Sequence, residues 1–409
     1  MKPSSVLATA ALVASVSVYA HGPLPLPRFQ VDEIVPPAAL QAPCLPGLAN
    51  SAFSATVNDF GIASANFGCV SHFNPDPTLE ELTSVGGAFL GASWFPSIPL
   101  QQTGASAFTN GVNNRGQAFG GDISGNAIFG VRWSVAGGFE RIFDEPACEF
   151  LNISGASAGN ARYIVGWGLR SDPSLPPPFD TLCLTTRWLI RDAAGVVVPG
   201  PLNGSAYDIN GFDLAVGTLE NSAVRMHVPS GQIRVLHAST DSTNGAIARD
   251  INDLGESAGH SFTYPPGDLP CASGVALRWD RAGAERVLPH LPGAVSSRAA
   301  SAGYDDDAVG DSGPGDYCSN NENANERATL WRGSRAFDLN ATIPQGLHIT
   351  LVSATSINRR GQILATGFRN GEPLLQCPGF VFDPETSMSR LESRPCRRMR
   401  VYLLSPAGR

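Results

Sequence analysis

Ala246-Ile247-Ala248-Arg249-Asp250-Ile251-Asn252-Asp253-Leu254-Gly255-Glu256-Ser257-Ala258-Gly259 is the stretch that decides the fold. A run of small and apolar residues enters Asn-x-x-Gly, and a second small-residue run leaves it and ends in glycine. Asparagine at the first position of a type I turn bonds its own backbone two residues on, and glycine at the fourth takes a positive φ without steric cost. The stretch therefore reads as two strands joined by a four-residue hairpin. The same order returns at Asn58/Gly61, Asn113/Gly116 and Asn358/Gly361. Degraded copies lie around Gly159, around Asn210 (with Asp213 in the glycine's place) and around Gly303 (with Asp306 likewise). Anchors at 58, 113, 159, 210, 252, 303 and 358 give a mean step of (358 − 58)/6 = 50 residues.

Each unit continues in the same way. First strands are expected at 53–57, 205–209, 246–251 and 352–357, and second strands at 117–120, 214–217, 256–259, 308–310 and 362–365. Third strands, tending to end in an aromatic, are expected at 131–133, 185–188, 275–279, 328–331 and 380–382, and a short turn leads to a fourth. Four strands in about 50 residues, repeated about seven times, predict an all-β chain folded as a β-propeller of about seven four-stranded blades, six being the other count. A β-solenoid or stacked sandwiches are the alternatives. Small first strands suit the crowded axis, and the tryptophans suit the wider gaps between blades. In an up-and-down blade the second-to-third loops and the blade-to-blade connections share one face. The longest loops, 169–180, 260–273 and 311–326, fall there, so that face is the expected binding face.

The ends divide from the repeat. Residues 1–20 have the form of a secretory signal, with Lys2, a short apolar run and a small-residue exit at Ala20. Residues 21–50 are expected to be an N-terminal segment, 51–385 the propeller, and 386–409 a basic C-terminal strand or tail carrying Arg390, Arg394, Arg397, Arg398 and Arg400. No apolar stretch is long enough to predict a membrane span. A secreted or periplasmic monomer is expected. The formal net charge of −8 argues against nucleic acid as a partner. With 44 glycines and 32 prolines, and one lysine among 28 cations, the composition favours short strands and turns over long helices. Cys44, Cys69, Cys148, Cys183, Cys271, Cys318, Cys377 and Cys396 suggest four disulfides in an exported chain. Eight cysteines allow 105 pairings; pairing in sequence order keeps each loop local and is the expectation. No Cys-x-x-Cys occurs.

No catalytic residue is assigned. Gly155-Ala156-Ser157-Ala158-Gly159 and Gly255-Glu256-Ser257-Ala258-Gly259 match the serine-hydrolase elbow, but both glycines of the second share the repeat phase of Gly116 and Gly120, so the repeat explains the match. His21 would become N-terminal after cleavage, a copper-clamp position with no identifiable second histidine. Asp305, Asp307 and Asp311 are the candidate calcium ligands, next to Asp306. Asp250-Ile251-Asn252-Asp253 has the start of a calcium loop, with Leu254 where a ligand belongs. No other cofactor is expected.

At 327–384 the pattern is more specific. Ala328-Thr329-Leu330-Trp331 leads to Ala336-Phe337-Asp338-Leu339-Asn340, then Ala354-Thr355-Ser356-Ile357-Asn358-Arg359-Arg360-Gly361-Gln362-Ile363, and closes on Gly379-Phe380-Val381-Phe382. This resembles the HAF-repeat family of exported bacterial proteins, which runs Ala-x-x-x-Ile-Asn-x-x-Gly-Gln-Ile/Val-x-Gly and ends in His-Ala-Phe-Leu. Weaker matches extend from about Phe53 to Asp383. No unit has His-Ala-Phe; Pro378-Gly379-Phe380 stands there in the last. The resemblance implies secretion, a repeat fold and a bacterial source, and no catalytic residues. The expected function is a binding or scaffold module for an extracellular glycan, protein or envelope partner. The alternative is a propeller enzyme acting on a polysaccharide or glycoconjugate, with carboxylates on the looped face.

Overall fold

Seven first strands, Ala49–Val57, Ser106–Val112, Ser154–Gly159, Gly204–Ile209, Asn244–Ile251, Ser296–Ala302 and Ile349–Ile357, each open a four-stranded antiparallel sheet. The structure is a computed structural model describing residues 26–35, 49–70, 84–90, 93–94, 106–124, 127–134, 138–143, 154–170, 185–240, 244–263, 273–314, 326–383 and 388–407. Consecutive sheets pack against one another, and the last packs against the first through Ile349–Ile357 and Ala49–Val57. The ring is a seven-bladed propeller with the first strands innermost. Regular structure among the described residues is otherwise limited to one two-stranded hairpin and three short 3₁₀ turns, and no described helix is long and apolar enough to cross a membrane.

Blades 1 to 6 are simple meanders, with strand order following the chain. Blade 7 is not. Its order is Phe29–Ile34, Arg400–Pro406, Ile363–Arg369, Ile349–Ile357, so the N-terminal strand forms its outer edge and the C-terminal strand its third position. Two segments placed outside the repeat by the sequence pattern are thus part of the ring. Val401–Leu404 is buried, so the C-terminal segment is not a solvated tail. The third strand expected at 380–382 lies instead in Leu375–Asp383, which pairs only with Met388–Cys396 in a separate hairpin. That hairpin interrupts blade 7, and Arg400–Pro406 takes the vacated edge. Glu33 fastens the closure, with Oε2 2.6 Å from Arg369 Nη2 and Oε1 2.5 Å from Arg400 Nη1; Arg400 also holds Glu372 at 2.5 Å.

The turn asparagines join blades as well as forming turns. Asn252 Oδ1 accepts the N–H groups of Leu254 and Glu256, both at 3.0 Å. Its amide donates to the carbonyl of Gly303 in blade 6 at 2.8 Å. Asn58 donates to Asn113 O at 2.7 Å, Asn113 to Gly159 O at 2.9 Å, Asn210 to Asn252 O at 3.0 Å, and Asn358 to Asn58 O at 2.7 Å. In blade 3 the working residue is Asn160, one place beyond the expected anchor, and it donates to Asn210 O at 2.7 Å. Only Gly303 lacks the side chain, at the seam between blades 6 and 7. There Arg359 donates to the Tyr304 hydroxyl at 3.2 Å and lies 4.7 Å from its ring centroid. Two of the three degraded copies keep a left-handed residue in the turn: Asp213 has φ 62° and Asp306 φ 66°, close to the 78° of Gly255.

A second set of bonds lies two or three residues earlier. Thr56 Oγ1 accepts Val112 N–H at 2.7 Å, Asp208 accepts Ile251 N–H at 2.9 Å, Asp250 accepts Ala302 N–H at 2.7 Å, and Ser301 accepts Ile357 N–H at 3.2 Å. Ser356 accepts Val57 N–H at 3.1 Å, while Asn110 and Ser157 donate to Ala156 O at 2.9 Å and Ala206 O at 2.7 Å. Each seam therefore has one side chain bonding the next blade's inner backbone.

Every first strand also shows a register shift against its partner, as between Ala206 and Asp208 or Ala248 and Asp250. These β-bulges re-aim one side chain per blade. The glycine ending the second run lies against the inner strand. A Cβ on Gly259 would stand 1.8 Å from Ile247 O, and one on Gly310 1.8 Å from Arg298 O, so no larger residue fits. Trp133, Trp188, Trp279 and Trp331 are fully buried, as expected of the gaps between blades. Trp188 Nε1 donates to Thr218 O in blade 4 at 2.8 Å.

Two outcomes follow. Asn210→Asp keeps the oxygen that shapes its own turn but sets a second oxygen against Asn252 O at pH 8. It should lose about 2–3 kcal/mol in urea unfolding, as much as Asn210→Ala; a variant as stable as the parent would show that the turn alone matters. Glu33→Ala leaves two guanidinium groups without their shared carboxylate and should cost about 2 kcal/mol by the same measurement. An unchanged urea midpoint would remove this closure from the account.

Candidate functional site

The bulges aim their residues at the axis, where all seven first strands and their turns enclose a cavity of about 820 Å³. Asn110, Ser157, Tyr207, Arg249 and Thr355 line it from the bulges, and the second strands add Asn66, Trp167, His260 and Asp311. Trp167 and Tyr207 are half-buried. A Cβ on Gly155 would lie 2.9 Å from Trp167 Nε1, so glycine opposite the indole leaves it room. The Arg249 guanidinium lies 4.9 Å from the Tyr207 ring centroid, within cation–π range.

Two carboxyls of adjacent blades meet here. Asp208 and Asp250 hydrogen-bond each other. Burial, then the Asp250 charge, raises the Asp208 pKa well above the usual carboxylate value; burial also raises that of Asp250. Two like charges in contact cannot both ionise cheaply, so the pair shares a proton. Their outer oxygens are occupied: Asp208 by Ile251 N–H, Asp250 by Ala302 N–H and by the Ser301 hydroxyl at 3.0 Å.

Asp311 takes Arg298 Nε at 2.9 Å and the Ser353 hydroxyl at 3.1 Å, and burial raises its pKa against the pull of Arg298. His260 is buried, and its Nδ1 has no partner. Burial, with Arg249 and Arg298 nearby, pushes its pKa down to about 3, so the ring is neutral at physiological pH.

The sequence candidates fall differently. Asn58, Asn113, Asn210, Asn252 and Asn358, with Gly61, Gly116, Gly255 and Gly361, form the turns that frame the cavity mouth. Asp305, Asp307 and Asp311 do not form a cation site. Asp305 sits on the hairpin turn at φ 56°, Arg332 clamps Asp307 at 2.9 and 2.6 Å, and Asp311 faces the axis with Arg298. Asp306 is clamped by Arg286 at 2.7 Å through both oxygens. Among the described residues no three His, Cys, Asp or Glu side chains converge as metal ligands.

Neither elbow string is an elbow. Ser157 lies on an inner strand and bonds Ala206 O, and Ser257 is fully buried on Ser257–Thr263 with its hydroxyl unpartnered. His21 and most of the long loops lie outside the described residues, as do the side chains of all eight cysteines. The register does set Cys377 opposite Arg394 and Cys396 opposite Leu375, one diagonal step apart in the hairpin.

Sequence reasoning missed Trp167, Tyr207, Arg298 and the Asp208–Asp250 contact. One signal was legible: two residues before the turn asparagine, Thr56, Asp208, Asp250 and Ser356 interrupt runs of small and apolar residues.

No protein-family model and no curated protein sequence matches the chain. Solved structures similar to it include the acylaminoacyl peptidase of Pyrococcus horikoshii, with TM-score 0.47, 10% identity, and coverage of 86% of this chain and 52% of that one. Dipeptidyl peptidase 4 of Porphyromonas gingivalis has TM-score 0.39, 7% identity, and coverage of 81% and 55%. The extracellular domain of a hybrid two-component system from B. thetaiotaomicron has TM-score 0.38, 9% identity, and coverage of 87% and 41%. The chain thus spans about half the length of these proteins.

The shared proton has a measurable sign. Unfolded aspartates titrate near 3.8, whereas the folded pair keeps its proton to higher pH. Unfolding therefore releases a proton across that window, and stability falls as pH rises through it. Asp208→Asn supplies an N–H in place of the proton. It should flatten that slope and raise stability at pH 8 by about 1–2 kcal/mol. A variant with the parent's pH profile would contradict the shared proton.

Proposed function

We propose that the chain is an extracellular binding module that holds a saccharide in its axial cavity. The observation that carries this is the pairing of two half-buried aromatics, Trp167 and Tyr207, with polar bulge side chains on one cavity wall. Sugar rings offer apolar C–H faces and a rim of hydroxyls, which aromatic faces and planar amides complement. Asn110 uses its amide nitrogen on Ala156 O, leaving its oxygen to accept a hydroxyl. The cavity's 820 Å³ lies within the ordinary span for small ligands, about 300–1,000 Å³. Export rests on the signal-like residues 1–20 and on the HAF-repeat resemblance.

The hydrolytic alternative is less well supported. Glycosidase carboxyls stand about 5–10 Å apart to flank the scissile bond, whereas Asp208 and Asp250 touch and give their remaining oxygens to the ring. They share the repeat position of Thr56, Ser301 and Ser356 and serve the same stitching role.

An oligosaccharide array followed by calorimetry tests the proposal. Binding should be found, and Trp167→Ala, with an unchanged melting temperature, should weaken it at least tenfold, about 1.4 kcal/mol. An array without hits, or a Trp167→Ala protein binding as the parent does, would overturn it.

A further inference from the structure

The charges lining the axial cavity are unequally committed. Its five carboxylates all have partners. Asp208 and Asp250 hold each other and backbone N–H groups, and Asp311 holds Arg298 and Ser353. At the mouth, Asp59 accepts Asn114 Nδ2 at 3.0 Å and Arg359 N–H at 2.8 Å, and Asp253 accepts Gly211 N–H at 2.9 Å. Of the lining arginines, Arg298 is spent on Asp311 and on Glu326 at 2.7 Å. Arg249 and Arg115 form no direct ion pair with a carboxylate among the described residues, though Arg249 lies near enough to Asp311 to oppose the rise that burial gives its pKa.

Arg249 is the better placed of the two. It occupies the blade 5 bulge and is solvent-exposed in the cavity, with its guanidinium set by the Tyr207 ring. A guanidinium held on an aromatic face keeps its edge donors free and loses little rotamer freedom on binding. His260 is neutral and adds no charge of its own, and its buried, unpartnered Nδ1 belongs to the same wall. The lining carries five carboxylates against three arginines, and the chain as a whole −8, so recognition of an anion would come from the unpaired donors of Arg249 and not from a basic surround.

We infer that the ligand of the axial cavity is an anionic saccharide whose acidic group docks on Arg249. This rests on the saccharide proposal above and narrows it. A planar carboxylate, as in a uronic acid, matches the guanidinium edge with two parallel bonds; a sulfate ester would satisfy the same donors with less directional preference.

The test compares three probes of one ring sequence by calorimetry: oligogalacturonate, its carboxyl-reduced neutral form, and a sulfated galactan oligomer. The parent should bind oligogalacturonate at least tenfold more tightly than the neutral form. Arg249→Gln should collapse that ratio to within about twofold, and the ratio in the parent should shrink between low and about 0.5 M salt. The sulfated probe then separates carboxylate from general anion recognition: binding it as tightly as oligogalacturonate would overturn the carboxylate docking. Equal affinity for the acidic and neutral probes would refute the inference while leaving the saccharide proposal standing. Failure of all three probes to bind would refute the inference, and the array without hits would refute the saccharide proposal with it. If Arg249→Gln does not fold, the salt dependence in the parent still decides: a ratio insensitive to salt would refute the docking.

Discussion

One side-chain amide per blade, donated by a turn asparagine to the carbonyl of the next turn, is the constraint on which the ring depends. Asparagine alone offers an acceptor that shapes its own hairpin and a donor that reaches a neighbour. Asn58, Asn210, Asn252 and Asn358 are buried, so each bond lies where an unmet carbonyl would be costly. The blade 6 turn shows the limit of the device. Gly303 receives a bond from Asn252 and can pass none on. The seam to blade 7 relies on Tyr304 with Arg359, Ser301 with Ile357, and Asp311 with Ser353.

The same geometry produces the cavity. Inner strands converging on an axis cannot pair with one another, so each uses side chains to meet the next strand's free backbone groups. The bulge that brings those side chains into reach turns the adjacent residue toward the axis. Stitching residues such as Asp208 and Asp250 therefore alternate with lining residues such as Tyr207 and Arg249. Site and scaffold are made by the same strands, and rigidity in one is inherited by the other. The arrangement also divides the polar groups: the carboxyls bond the ring, and the Arg249 guanidinium keeps no direct ion pair among the described residues.

Much of this was legible in the chain. The Asn-x-x-Gly spacing located the hairpins, and the expected ends of the first strands at 57, 209, 251 and 357 coincide with those observed. The burial of Trp133, Trp188, Trp279 and Trp331 followed from strand order. What was not legible was non-local. Phe29–Ile34 shows no repeat signature, because its role is fixed by pairing with Arg400–Pro406 at the far end of the chain. Asn160 was hidden by a shorter turn, closed between Asn160 and Tyr163, that shifts the anchor by one. The Asp208–Asp250 contact needs the ring to be closed before the two residues meet. The aspartates at 305 to 307 looked like a ligand cluster only because sequence proximity hides that Arg286 and Arg332 claim two of them from different strands.

Native-state hydrogen exchange on the full chain tests the central claim most directly. The amides of Leu214, Glu256 and Gln362 sit in surface turns yet bond asparagine oxygens whose own amides grip the next blade. They should exchange only with global unfolding, as slowly as the inner-strand amides of Ile251 and Ile357. Exchange of these turn amides at loop-like rates, or in separate events blade by blade, would contradict a ring held by its asparagines.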